Sequence, residues 1–90
     1  MPTISMFYGI VVRMFFFDME KHKRPHVHVE YQNFVAVYDI GTGKVLAGRL
    51  PPNKHKLVVA WMDIHHEELI ADWGLAVKGE PPFPIRGLDQ

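Results

Sequence analysis

Residues 26–40 read HVHVEYQNFVAVYDI, and this stretch decides the fold because it contains a complete predicted β-hairpin. In residues 26–31, apolar or aromatic side chains alternate with imidazoles and a carboxylate, the period of a strand with two different faces. Residues 34–40 form a second β-rich run. Only Gln32 and Asn33 separate the two runs, a length that suits a two-residue turn.

A two-residue turn also predicts which residues of the two strands face each other. On one face every predicted pair is apolar or aromatic: Tyr31 with Phe34, Val29 with Ala36, and Val27 with Tyr38. The other face pairs Glu30 with Val35, His28 with Val37, and His26 with Asp39. We expect a helix to cover the apolar face, and the imidazole-bearing face to be either a solvated surface or a site.

The segments on either side of this hairpin extend the sheet. Residues 4–17 are rich in β-branched and aromatic residues and predict a first strand near 5–17, followed by a charged loop over 18–25. A signal peptide is a poorer interpretation, because Arg13 interrupts the apolar run and no basic region precedes it. The turn at 41–43 predicts a short strand near 44–49.

One amphipathic helix is predicted after Pro51 and Pro52, near 53–76, with Asn53 as its N-cap. Its apolar stripe contains Leu57, Val58, Trp61, Ile64, Leu69, Leu75 and Ala76. Three ionisable residues interrupt that stripe at helical spacing: His65, Glu68 and Asp72. Either the helix breaks near residues 64–65 and returns them to water, or they form a polar network against the sheet.

The predicted fold is therefore α+β: a three- to four-stranded antiparallel β-meander followed by one long amphipathic helix packed on one sheet face. Residues 1–79 are expected to form a single domain. Residues 80–90 contain three prolines and are expected to form an extended Pro-rich arm.

Composition narrows the classes of function. The 90 residues contain no cysteine, which favours a reducing, cytoplasmic location and excludes thiol catalysis and cysteine-ligated zinc. No apolar stretch reaches the about 18 residues of a membrane span. The formal net charge is zero, so a strongly basic nucleic-acid-binding surface is not expected.

A metal site is one hypothesis for the imidazole-bearing face. His26 and His28 share a strand face, and His65 or a nearby carboxylate would complete a site for a divalent metal such as zinc. Nothing in the sequence requires such a cofactor. The geometry also poses an obstacle, because a helix on the apolar face holds His65 away from His26 and His28.

General acid–base chemistry on a phosphodiester is a second hypothesis. In this hypothesis His26, oriented by Asp39, and His28 are the proton-transfer groups, and Arg13 or Arg24 stabilises the phosphate charge.

A third hypothesis needs no active site. The chain has more aromatic side chains than so small a fold hides easily, which indicates an interface with a homodimer mate or another protein.

Four blocks of sequence carry a family resemblance: PTISMFYGIVVRMFF at 2–16, RPHVHVEY at 24–31, GRLPP at 48–52, and WMDIHHEELIADW at 61–73. Together they resemble the bacterial family catalogued as domain of unknown function 4160, over residues 1–73. Matching that family's pattern points to His26, His28, Tyr31, Trp61, His65, Glu68, Leu69 and Trp73. The chain departs from it at Arg24, where the family often has a second proline.

The resemblance implies a partner rather than an activity. Genes of this family commonly adjoin a gene for domain of unknown function 2442, an arrangement similar to a toxin–antitoxin pair. We therefore expect a small bacterial protein that is the toxin-like or partner-binding member of such a module, acting on nucleic acid. A metal-binding or hydrolytic domain using the His26 and His28 pair, and a non-catalytic interaction module, are the alternatives.

Overall fold

The computed structural model describes residues 3–15 and 24–90 and has an α+β architecture. Within these residues, five strands form one antiparallel sheet in the order β1-β2-β3-β4-β5, a simple meander. The elements are β1 (Thr3–Phe7), β2 (Ile10–Arg13), β3 (His26–Tyr31), β4 (Phe34–Asp39), β5 (Val45–Gly48), α1 (Pro52–Ile64) and α2 (His66–Val77). The α+β meander is confirmed, with one strand and one helix more than predicted.

The predicted first strand is a hairpin. Strands β1 and β2 meet at a turn in which Tyr8 and Gly9 have φ of 50° and 78°, so that Phe7 pairs with Ile10. Positive φ at both central residues matches the right-handed twist of the strands. The continuous apolar run concealed this turn, and Gly9 was its one local signal. The rest of the predicted strand and most of the charged loop, residues 16–23, lie outside the described residues.

The register of the central hairpin is confirmed at every predicted pair, from His26 with Asp39 to Tyr31 with Phe34. Val27, Val29, Ala36 and Tyr38 are buried, so the apolar face is the one that the helices cover, and we call it the inner face. The core contains these residues together with Ile4, Phe7, Ile10, Val12, Met14, Ile40, Leu50, Val58, Trp61, Met62, Leu69, Ala76 and Ile85.

The predicted single helix is two helices. His65 has φ of −106° and ψ of 27°, so it ends α1 and precedes α2. The first helix begins with Pro52 after Pro51, because a proline at the first helical position has no amide hydrogen left unsatisfied. Asn53 is therefore inside the helix, and the prediction that it is the N-cap is wrong. Neither α1 nor α2 is long and apolar enough to cross a membrane.

Residues 80–90 form neither helix nor strand but lie against the rest of the chain. The amide of Ile85 donates to the carbonyl oxygen of Ile4 at 2.7 Å, beside the edge strand β1. The indole N–H of Trp61 donates to the carbonyl oxygen of Arg86 at 2.7 Å. Trp61 is fully buried and its ring lies 5.4 Å from that of Phe7. Through Trp61, this segment is joined to both the first helix and the sheet.

We predict that Gly48→Ala destabilises the protein strongly. Gly48 has φ of 71°, and a Cβ there would overlap the carbonyl oxygen of Val35 on the neighbouring strand. The left-handed backbone and the backbone overlap together are expected to lower the free energy of unfolding by at least about 2 kcal/mol. Urea denaturation measures the change.

The matched control is Gly74→Ala. Gly74 lies within α2, and a Cβ there meets no atom within 4 Å. Alanine in a helix interior is about 1 kcal/mol more favourable than glycine, so this variant is expected to be more stable than the wild type. Equal effects of the two substitutions would contradict our account of the β4–β5 strand pair.

Candidate functional site

His26 is buried although it points away from the inner face. Its ring lies 5.2 Å from the ring of His28 and 5.0 Å from that of Trp73. Its Nδ1 is 2.8 Å from the carbonyl oxygen of Arg24. Because a carbonyl oxygen can only accept, the Nδ1 of His26 carries a hydrogen and donates it. The ring is thus held by packing and by a backbone hydrogen bond.

Asp39 faces His26 across the strand pair, as predicted, but other groups hold its carboxylate. The backbone N–H of Gly41 donates to Oδ1 at 2.8 Å, and the guanidinium of Arg24 lies 2.5 Å from Oδ2. Asp39 is buried, so these partners compensate its desolvation. Arg24 therefore connects the start of β3 to the end of β4, through its carbonyl oxygen and its guanidinium.

Arg13 and His28 are neighbours on the side of the sheet opposite the inner face, which we call the outer face. Arg13 forms an ion pair with Glu30 at 3.3 Å, and the His28 ring meets Phe15 edge-on at 4.3 Å. The four predicted catalytic residues, Arg13, His26, His28 and Asp39, therefore belong to one sheet face. Two of them, His26 and Asp39, are buried and hydrogen-bonded.

His65 lies at the junction of the two helices. Its Nδ1 is 2.6 Å from the Oε1 of Glu68, and its ring is 5.7 Å from that of the buried Trp61. Among residues 3–15 and 24–90, no group of three or more histidine, aspartate or glutamate side chains is arranged to hold a metal ion. Within that part of the chain, His26, His28 and His65 do not come together as the hypothesised metal site.

Of the ionisable side chains on α1 and α2, Asp72 is the buried one. Its Oδ1 accepts the backbone N–H of Phe83 at 2.9 Å, and its Oδ2 has no hydrogen-bond partner among the described residues. Burial raises the pKa of Asp72; the Phe83 hydrogen bond opposes the rise, and the charge of Glu68 adds to it. The predicted break near residues 64–65 is confirmed, and Glu68 is exposed. Asp72 is buried, but its hydrogen bond is to Phe83 of residues 80–90 and not to the sheet.

A cleft of about 430 Å³ lies between the turn after β4 and one side of α1, with His66 at the start of α2 also lining it, and we call it the α1 cleft. Its walls are formed by Ile40, Gly41, Thr42, Gly43, His55, Lys56, Val59, Ala60, Met62, Asp63 and His66. This volume is within the range of small-molecule sites, about 300 to 1,000 Å³. The cleft has an apolar wall and a few ionisable groups, which is the usual composition of such sites.

The sheet holds one of these ionisable groups in place. The hydroxyl of Tyr38 lies 2.8 Å from the Nδ1 of His55, and the two rings stack at 5.6 Å. Burial raises the pKa of Tyr38 to about 12, so its hydroxyl keeps its hydrogen at neutral pH. We assign that hydrogen to the bond with Nδ1, which places the hydrogen of the neutral imidazole on Nε2.

Sequence reasoning missed the α1 cleft. No role is assigned to His55, Asp63 or His66 from the sequence. The available signal was a second stripe, because His55, Val59, Met62 and His66 follow one another at the i, i+4, i+7 and i+11 spacing of one helix face. The spacing does not reveal that the turn between β4 and β5 lies opposite this stripe and forms the other wall of the cleft.

The family model for the domain of unknown function DUF4160 matches residues 9–74. The chain belongs to the DUF4160 family. The matched range contains the outer-face residues of β2 to β5 and every residue that lines the α1 cleft, while β1 and residues 80–90 of this DUF4160 protein lie outside it. No curated protein and no solved structure matches the chain.

The buried carboxyl of Asp72 predicts a pH-dependent difference from Asp72→Asn, which keeps an oxygen for the Phe83 amide. Because the folded-state pKa of Asp72 is raised above 3.8, its contribution to stability is full below that value and is lost as pH rises through the folded pKa. The unfolding free energy of the variant minus that of the wild type should therefore grow with rising pH.

Urea denaturation at a series of pH values between about 3 and 7 measures this difference. Asp63→Asn removes an exposed carboxylate and is the control. A difference for Asp72→Asn that stays constant across the series would contradict the assignment.

Proposed function

We propose that this chain is the partner-binding member of a bacterial two-gene module of the toxin–antitoxin type, acting on nucleic acid. We further propose that a small protein of the domain of unknown function 2442 type docks on the outer face of its sheet. The chain belongs to the DUF4160 family. The resemblance to that family implies a gene neighbourhood similar to a toxin–antitoxin pair, and this implication supports the module. One observation carries the docking proposal: large apolar side chains are exposed on the outer face.

The outer face has two rows of side chains across the paired strands. The first row is Met6, Val11, Glu30 and Val35, and the second is Arg13, His28, Val37 and Ala47. Met6 is 60% exposed and Val35 is 55% exposed, so a large apolar side chain lies at each end of the first row. Glu30 lies between them in this row and forms an ion pair with Arg13 of the second row. Apolar contacts around a few charged groups are typical of protein interfaces.

The two edges of the sheet differ, and the difference selects the side on which the partner docks. Beside β1, the chain's own Ile85 already donates a hydrogen bond to Ile4. Strand β5 is the other end of the described sheet, and Val45, Ala47 and Gly48 on it are exposed. An end strand offers backbone N–H and C=O groups to a strand of another protein. We therefore place the partner across β4 and β5, with Val35 at the centre of the contact.

Val35→Lys is expected to abolish capture of the partner. A lysine there adds a charge that docking would have to desolvate, and the loss of affinity should exceed about tenfold. The measurement is co-purification, followed by titration, of the tagged chain with the protein encoded by the adjoining gene. Ile64→Lys is the matched control, because Ile64 is equally apolar, 66% exposed and in α1 rather than in the sheet.

The proposal that the partner docks at Val35 is contradicted if Val35→Lys and Ile64→Lys weaken capture equally, or if neither changes it. A second copy of the chain is the competing occupant. If the wild type sediments as a dimer and Val35→Lys as a monomer, with partner capture unaffected, the outer face is a self-association surface instead.

If the chain acts on nucleic acid as a toxin does, its expression should affect the growth of cells. Expression of the chain alone should arrest growth, and co-expression of the partner should relieve the arrest. The relief should be lost with Val35→Lys and kept with Ile64→Lys. Harmless expression of a chain that still captures its partner would favour the non-catalytic interaction module.

A further inference from the structure

We propose that the α1 cleft binds the phosphate of a nucleotide, either free or within a single-stranded nucleic acid. This inference concerns a different surface from the outer face and rests on the cleft itself. It deepens the proposed action on nucleic acid by naming the ligand and the residues that bind it. Three observations support it: the volume of the cleft, the ionisable side chains that line it, and the hydrogen bond from Tyr38 that orients one of them, His55.

The ionisable groups of the cleft favour an anion. His55, Lys56 and His66 can each donate an N–H hydrogen bond to an anion, against the single carboxylate of Asp63. With histidines counted as neutral, the charges of Lys56 and Asp63 balance, so the number of N–H donors in the cleft, and not its net charge, favours an anion. The first turn of α1, which contains His55 and precedes Lys56, has no acidic residue that would neutralise them.

His55 is oriented as a hydrogen-bond donor. With the Tyr38 hydroxyl assigned as the donor to its Nδ1, a neutral His55 carries its hydrogen on Nε2. A protonated His55 carries a hydrogen on Nε2 as well. In both states this nitrogen offers N–H, which suits the oxygen of a phosphate. Tyr38 is therefore a positioning residue that acts through His55.

Asp63 indicates that the ligand is more than a bare phosphate. A carboxylate repels an isolated anion but accepts hydrogen bonds from the hydroxyl groups of a ribose or the amino group of a base. Lys56 and Asp63 are separated by two helical turns, about 10 Å along the axis of α1. Val59 and Ala60 lie between them in sequence and line the same wall. A nucleotide would lie along this wall with its phosphate at Lys56 and its sugar or base at Asp63.

The experiment uses the full chain and three probes: inorganic phosphate, uridine 5′-monophosphate and a single-stranded hexauridylate. Calorimetric titration of each gives its dissociation constant. We expect the monophosphate to bind more tightly than inorganic phosphate, because only the nucleotide satisfies Asp63. A hexamer that binds at least about tenfold more tightly than the monophosphate identifies nucleic acid as the source, and equal affinities identify a free nucleotide.

Lys56→Gln removes one positive charge from the cleft at an exposed position, so the fold is retained. It should weaken binding of the monophosphate and the hexamer about tenfold. Lys54→Gln is the matched control: it removes the same charge from the same helical turn, but Lys54 lies 4.9 Å over the Tyr31 ring and does not line the cleft. This variant should weaken binding by less than about twofold.

The proposal is overturned if neither nucleotide probe binds, if inorganic phosphate binds as tightly as the monophosphate, or if Lys54→Gln and Lys56→Gln weaken binding equally. Partner capture is measured in parallel on the Lys56→Gln chain, where it should equal that of the wild type. If no nucleotide binds but the partner is still captured, nucleotide binding in the α1 cleft is refuted and the proposed docking on the outer face is not. If Val35→Lys loses partner capture but still binds the nucleotide, the result supports docking on the outer face and leaves the α1 cleft unaffected.

Discussion

The pairing of β3 with β4 across a two-residue turn is the constraint on which the rest of the structure depends. Because side chains alternate along a strand, pairing Val27 with Tyr38 and His26 with Asp39 assigns every residue of the hairpin to a face. A shift by one residue would expose Val27 and Val29 and bury Glu30. The inner face that results is the apolar surface on which the helices pack. The outer face is buried around His26, Val37 and Asp39 and exposed at Met6 and Val35.

The polar residues of this hairpin mainly stabilise the fold. Arg24 accepts from His26 through its carbonyl oxygen and binds Asp39 through its guanidinium, which closes the open end of the β3–β4 pair. Buried groups bonded in this way are expensive to expose and poorly suited to proton transfer with a substrate. His26 is thus held in place by packing and by its bond to Arg24, whereas His28 is partly exposed on the outer face. His55, which the Tyr38 hydroxyl contacts, is a histidine of the α1 cleft.

The same hairpin places both proposed sites. Tyr38 belongs to the inner face, and its hydroxyl reaches across to His55 of α1, so a residue of the sheet orients a side chain of the cleft. On the other side of the same strand, Val35 is exposed in the first row of the outer face. Partner docking and nucleotide binding would therefore occur on opposite faces of β4, which allows both to be occupied at once.

The sequence by itself determined the α+β class, the hairpin register and the side of the sheet that the helices cover. These features follow from local spacing, because alternation and turn length act between residues close in the chain. Sequence reasoning missed the Tyr8–Gly9 turn, since an apolar run has the same composition with or without a bend. The helix break at His65 remained one of two alternatives, because no proline or glycine marks it.

Only the tertiary structure decided which polar groups are buried. Asp72 is desolvated because residues 80–90 fold back over the helix, and the α1 cleft exists because a turn near residue 42 lies opposite α1. Both arrangements join segments that are distant along the chain or that differ in secondary structure. Such contacts depend on how whole elements pack, and no local period in the sequence encodes that packing.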